Sequence, residues 1–315
     1  MAKAKTKTPV TSQPSLLDAV YIDPMTDFGF KKLFMNKELL IAFLNDILAA
    51  DIRDITYQPT EGLGEYKDER TAIFDLLCTT GSGEYVIVEM QIGEQTFFKD
   101  RVLFYASHII RKQAPKKKYW DYCLKAVYVV SILDFVLFKD KESKDMVMEK
   151  ACIYRERTGT PFSDKLKFVF IELPKFNKTV SELKGNTDTW LFMLKHLFTL
   201  KSPPPEIRGR IFKRFFKLAE INKLTHTEMD TFEKSLKKNY FLRDMARAIR
   251  IEERTEGRME GKIEGKIEGK IEGRMEVAIK LLVRNMPIDE VISVTELSEE
   301  QVRQLLENIP ELQAE

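Results

Sequence analysis

The sequence predicts an α/β protein: a mixed β-sheet packed between helices, followed by an all-α C-terminal region. Three patterns predict it. Short runs rich in Val, Ile, Phe and Tyr occur at 54–58, 71–79, 84–91, 125–133, 147–155 and 166–173, with an amphipathic helical stretch at 37–48 before them and another at 95–113 between them. The order strand, helix, strand over 84–133 suits a parallel crossover, and the apolar, β-branched KAVYVVSIL at 125–133 reads as a strand covered on both faces. From residue 179 onward the apolar period is helical to the end. The resulting divisions are a disordered basic tail at 1–19, an α/β domain at 20–175, a helical subdomain at 176–250, a repeat helix at 251–284 and a small helical motif at 285–315.

At 315 residues the chain is long enough for one sizeable core with appendages, and 43 % apolar residues is ordinary for a globular protein. Charge is dense but balanced, 51 basic against 49 acidic residues for a net +2, so an acidic partner requires a local basic patch. Cys78, Cys123 and Cys152 are odd in number, with no CxxC pair, and the chain has only three histidines. This favours reduced thiols in a cytoplasmic protein and disfavours a structural zinc. No apolar run is long enough to cross a bilayer. The start, MAKAKTKTPVTSQPS, is basic and lacks the apolar core of a secretory signal.

In chain order, Thr26 or Asp27 is placed to cap a helix on which Phe30, Leu33 and Phe34 form a core stripe. Lys31 on that helix is a surface lysine or a phosphate contact. Residues 37–48 form a second helix burying Leu40, Ile41, Leu44 and Leu48. On the helix at 95–113, Phe98, Val102, Tyr105 and Ile109 share a face, and Arg101 neighbours Tyr105 four residues on. Arg101 is either in a surface ion pair with Asp100 or Glu94, or a bidentate donor to a phosphate. Lys116, Lys117 and Lys118, followed by Tyr119 and Trp120, form a solvated turn or a salt-sensitive contact to a phosphate backbone.

The most informative stretch is ERTAIFDLLCTTGSGEYVIVEMQ at 69–91. Thr80-Gly81-Ser82-Gly83 separates two strand patterns, a hairpin signal, and each strand carries one acid among apolar neighbours: Asp75 and Glu89. Strand alternation puts Glu89 and Gln91 on one face and Val86, Val88 and Met90 on the other, with Asp75 able to meet the Glu89 face across the hairpin. Burying one carboxylate is costly unless something compensates it. The plain alternative is one acid at a strand edge and one in a salt bridge. A divalent cation would compensate both at once, and Mg²⁺ prefers such oxygen ligands.

The pattern Asp75, then Glu89-Met90-Gln91, resembles the D…ExQ form of the PD-(D/E)xK nuclease motif. With DFGFKKLF at 27–34 before it, and Phe98, Arg101 and Tyr105 after it, the chain resembles the Rpn family of recombination-promoting nucleases, grouped with PD-(D/E)xK transposases, over roughly residues 20 to 240. The resemblance implies a restriction-endonuclease-like sheet and a Mg²⁺-dependent (or other divalent-cation-dependent) DNA endonuclease. Asp75 and Glu89 would be metal ligands, the Met90 carbonyl a further one, Gln91 the residue positioning the attacking water, and Arg101 and Tyr105 phosphate contacts. From their charge and position rather than from the resemblance, Lys31 and Lys116–Lys118 would be DNA contacts. Gln91 departs from the lysine common at that position, which leaves water activation to the metal. Two other readings compete: an inactive nuclease-fold DNA-binding protein, and an assembly protein working through its C-terminal repeat.

That repeat runs over 256–276 as EGRM, EGKI, EGKI, EGKI, EGRM, E. It places Met259, Ile263, Ile267, Ile271 and Met275 in a helical stripe with a small drift per unit. Each glycine costs about 0.8–1 kcal/mol against alanine, and like charges stand at i,i+4. The expectation is a marginal helix that pairs in a homodimer, or a charged spacer. Ser298 is the expected N-cap of the last helix.

Overall fold

The computed structural model describes residues 16–60, 74–114 and 120–307. In chain order the elements are α1 (Asp27–Phe34), α2 (Lys37–Leu48), β1 (Ile55–Tyr57), β2 (Leu76–Thr80), β3 (Tyr85–Gln91), α3 (Phe98–Lys112), β4 (Val127–Leu133), β5 (Met148–Cys152), β6 (Leu166–Glu172), α4 (Gly185–His196), α5 (Arg210–Ala219), α6 (His226–Leu282), α7 (Ile288–Thr295) and α8 (Glu299–Glu307). The strands form one mixed sheet in the order β1-β2-β3-β4-β6-β5. β2 runs antiparallel to both β1 and β3, β3, β4 and β6 are parallel, and β5 returns antiparallel at the edge.

Alternation along β3 sets the two cores. Val86 and Val88 face one way, with Phe30, Phe34, Phe43, Trp190, Phe215 and Phe232, against α1, α2, α4, α5 and the start of α6. Ile87 faces the other way, with Val127, Val129 and Leu133, and α3 covers that side through Phe98, Val102, Ala106 and Ile109. The central β4 is apolar on both faces because both are covered, as its composition requires.

Local chemistry fixes the first helices. The Thr26 hydroxyl accepts from Gly29 N–H at 3.0 Å and donates to the Asp23 carbonyl at 2.7 Å, closing the turn into α1. A β-carbon on Gly29 would stand 2.0 Å from that carbonyl oxygen, so glycine is required there. Asn36 caps α2, and α2 ends at Ala49 in the left-handed region, φ 53°. In the hairpin, Gly83 takes φ 85° and donates its N–H to the Thr80 carbonyl at 2.9 Å.

Three expectations change. The strand expected over 71–79 starts at Leu76 among the described residues, leaving Asp75 in a bend just outside it. Its carboxylate takes the Met90 N–H at 2.7 Å, so that donor of β3 goes to a side chain rather than to a longer β2. The helices after residue 176 are not segregated: Trp190, Phe215 and Phe232 share one core with Phe34 and Phe43, and the boundary between compact units falls between Ala246 and Arg247. The expected helix at 228–250 and the repeat are one assigned helix, α6.

In the unit from Arg247 onward, the end of α6 packs on α7 and α8 around Ala278, Leu282, Val291, Leu297 and Val302, with Met275 against this core. Ser298 caps α8 through a reciprocal pair, Gln301 N–H to Ser298 Oγ at 3.2 Å and Ser298 N–H to Gln301 Oε1 at 3.0 Å. The stripe is therefore split. Met275 belongs to the small core, while Met259, Ile263 and Ile267 remain 55–61 % exposed.

Gly29→Ala tests the first turn. The added methyl must displace backbone, so stability in chemical denaturation should fall by about 1–3 kcal/mol. An unchanged midpoint would show that the turn relaxes without cost.

Candidate active site

The acids meet where the hairpin opens. β2 and β3 pair with Leu76 opposite Val88, so one step further Asp75 stands opposite Glu89. Two backbone bonds clasp the pair: the Asp75 carboxylate accepts from Met90 N–H, and the Glu89 carboxylate accepts from Asp75 N–H. Glu89 is only 5 % exposed, and its Oε1 has no hydrogen-bond partner.

This orphan is not alone. Among the described residues, the buried side-chain polar atoms without a partner are Glu89 Oε1, Ser131 Oγ and Arg101 Nε. Glu89 and Ser131 are register partners on adjacent parallel strands, and the Arg101 charge acts on Glu89. Native interiors satisfy nearly all such atoms, so three at one locus mark a place where a polar ligand belongs. A second buried acid gives the contrast. Glu172, fully buried, pairs with Lys175 at 2.6 Å and accepts N–H groups from Leu137 and Phe138.

Charges follow from this geometry. Burial, and then repulsion from Asp75, push the Glu89 carboxyl up to about 8, against the pull of Arg101 and the Asp75 N–H. Asp75 is also raised, chiefly by burial, with Met90 N–H opposing, Asp27 adding, and Lys31 and Arg101 opposing. Burial raises the Tyr105 phenol as well, and Glu89 and Asp75 both act on it. Tyr105 is thus beside the acids, its ring edge-on to Phe74 at 5.1 Å.

Arg101 reaches across from α3. Its guanidinium donates to the side-chain oxygens of Gln91 and Gln95, and lies 5.1 Å from the Phe98 ring centre and 5.7 Å from that of Tyr105. The expected partners Asp100 and Glu94 are not the ones it takes: Glu94 pairs with Lys139 at 2.7 Å. Gln91 is therefore held, its NH₂ donating to the Ile92 carbonyl at 3.0 Å.

A cleft of about 330 Å³ opens beside Asp75 and Asp27, lined also by Met90, Gln91, Gln95, Ser235, Lys238 and Asn239, among others; Glu89 is not part of its lining. A larger one of about 390 Å³ sits on β5 and β6, with Lys150, Lys167 and Tyr154 but no carboxylate. The convergence of acids, not size, identifies the first as the site.

Sequence reasoning missed the far wall. Ser235 accepts from Phe28 N–H at 3.1 Å and buried Asn239 donates to the Met25 carbonyl at 2.7 Å, pinning α6 to the start of α1. These two polar residues, four apart beside Phe232 and Leu236, were the available signal. The same joint sets Asp27 at the cleft, where it pairs with Lys31 at 2.8 Å. Lys31 thus sits near Asp75, 47 % exposed, and Lys238 adds a second exposed cation. Lys116, Lys117 and Lys118 lie outside the described residues.

The donor set fits a hard divalent cation held by few protein ligands. Two carboxylates converge with one unsatisfied oxygen, and among the described residues no set of three His, Cys, Asp or Glu side chains forms a metal cage. Mg²⁺ is commonly held by one or two carboxylates while it keeps waters.

The profile of a family described as PD-(D/E)XK nuclease family transposase matches residues 24–252. No curated protein and no solved structure matches the chain. The matched span holds the sheet, the clasped Asp75 and Glu89, Gln91, Arg101 and the α6 wall.

A pH test follows from Glu89. Unfolded, it ionises near 4.5; folded, it keeps its proton to about 8. Between these values the folded state binds more protons, so stability falls as pH rises and levels off above the folded value. In chelator, Glu89→Gln should therefore stabilise the fold, read as a higher melting temperature, by a margin that widens from pH 5 to pH 8 and is on the order of 1–4 kcal/mol at the upper end. A margin independent of pH would contradict the burial account. With the family profile matching residues 24–252, most of its length, the chain belongs to the PD-(D/E)XK nuclease family transposases.

Proposed function

We propose that the protein is a divalent-metal-dependent DNA endonuclease that hydrolyses phosphodiester bonds and promotes recombination or transposition-like events. The carrying observation is the buried, uncompensated Glu89 carboxylate clasped to Asp75, with the other orphaned polar atoms beside it. Asp75 and Glu89 would hold Mg²⁺ or a similar ion, with the Met90 carbonyl as a further ligand. When bound, such an ion offsets both charges, polarises a phosphodiester and lowers the pKa of a bound water.

The remaining roles belong to the chain. Gln91 cannot take up a proton at neutral pH, but its amide can donate and accept, so it orients the attacking water. Arg101 fixes Gln91 and presents a guanidinium to the phosphate, with Tyr105 behind it. Lys238, which lines the cleft, and Lys31, whose charge acts on Asp75, would meet the DNA backbone, and Lys116–Lys118 would extend that contact on sequence grounds.

Self-association is the second proposal, favoured by the exposed Met259, Ile263 and Ile267. Among the described residues, nothing beyond the helix's own local backbone lies within 4 Å of where a β-carbon on the repeat glycines would sit, so no packing contact there offsets their helix cost. A homodimer placing one site on each strand would use that face.

Plasmid nicking with and without Mg²⁺ tests the first proposal. Asp75→Ala and Glu89→Ala should each lower cleavage at least about a hundredfold while keeping the fold, because either change relieves repulsion. Equal cleavage by wild type and both variants would end the nuclease reading. For the second proposal, Ile263→Glu with Ile267→Glu should shift full-length protein toward monomer in sedimentation. A persistent dimer would place the interface elsewhere.

A further inference from the structure

α3 presents an exposed face that neither core explains. Its buried side is Phe98, Val102, Ala106 and Ile109. Along a different line, at i, i+4, i+7, i+11 and i+14, run Phe97, Arg101, Phe104, His108 and Arg111. Phe97 at the N-cap is 72 % exposed and Phe104 is 42 % exposed. Large apolar rings turned to water are usual singly, but here they alternate with cationic positions along one stripe.

The stripe begins at the site. Arg101 is both its second member and the residue that donates to Gln91 in the cleft. Its rings are set in place as well. His108 Nδ1 lies 3.0 Å from the Phe104 carbonyl, which can only accept, so that nitrogen carries the hydrogen, and the imidazole packs edge-on to the Phe104 ring at 4.3 Å.

We infer that this face is a track for unpaired nucleotides: bases stack on Phe97 and Phe104, phosphates run along Arg101 and Arg111, and the strand to be cut reaches Asp75 and Glu89 single-stranded. The inference rests on the nuclease reading for the reaction, but not for binding. Charge decides the occupant. A strand with its bases unstacked offers anions and π-faces in alternation, which matches cations and rings in alternation. A duplex keeps its bases stacked and would leave both rings unfilled. A second copy of the same face would set Arg101 and Arg111 against their counterparts, a like-charge cost.

Fluorescence anisotropy on full-length protein carrying Asp75→Ala, in chelator, tests it, with a labelled thymidine 20-mer and a blunt hairpin duplex as probes. The 20-mer should bind tighter. Phe97→Ala with Phe104→Ala should weaken 20-mer binding about tenfold or more and duplex binding less than twofold, and Phe→Trp at both positions should restore it. Unchanged 20-mer affinity, or an equal loss on both probes, would overturn the track. So would a dimer that becomes monomeric in sedimentation on the double alanine change. Because cleavage is not read, a protein that binds single strands through these rings yet never nicks DNA would sink the nuclease reading alone. One that nicks through Asp75 but ignores the ring substitutions would sink the track alone.

Discussion

The structure turns on two carboxylates held facing each other across a hairpin with too little to neutralise them. Asp75 and Glu89 are fixed by backbone N–H groups, that of Met90 on β3 and that of Asp75 just before β2, so neither can swing away from the other. Burial, and then repulsion from Asp75, push the Glu89 carboxyl up to about 8. That is an expensive arrangement, and the same fold contains the cheaper solution at Glu172, which has a buried lysine and two N–H donors. A site left short of charge is a site built to receive it.

Much of the surrounding architecture serves to hold that pair in register. β3 pairs with β2 over Tyr85–Val88 and with β4 along its whole length to Gln91, so the strand cannot slip without breaking both ladders. The turn after β3 is anchored by Gly93, whose N–H donates to Asp134 at 2.7 Å. Asp134 in turn pairs with Arg243 of α6 at 3.3 Å, and Arg243 also reaches Asp23 at 3.6 Å. Ser235 and Asn239 tie the same helix to the entry of α1. One helix, more than a hundred residues away in sequence, therefore closes the cleft and sets the position of Asp27 and Lys31.

The sequence made part of this legible. The hairpin, the facing acids and the helix with Arg101 followed from period and turn chemistry, because alternation in a strand is a geometric certainty once its ends are known. The end was the weak point. Asp75 lies in a bend, since its side chain took a backbone donor that pattern reading assigns to a longer strand. Ser235, Lys238 and Asn239 were not legible as site residues, because tertiary folding alone brings them to Asp75. Ser131 was hidden for a related reason: one serine in VYVVSIL carries no periodic signal, and only pairing with β3 sets it opposite Glu89. The helical region also misled. Its composition gave no hint that Trp190, Phe215 and Phe232 complete the core begun by Phe34 and Phe43, because helical period identifies a buried face but not its partner.

In the proposed nuclease, Asp75 and Glu89 would take up a divalent cation in exchange for a proton. Isothermal titration of Mg²⁺ into the full-length protein, in two buffers of different ionisation enthalpy, measures that exchange. The account predicts release of about one proton per site at pH 7, little at pH 9, and neither saturable binding nor proton release in Glu89→Gln. Mg²⁺ binding without proton release, with equal affinity in wild type and Glu89→Gln, would contradict it.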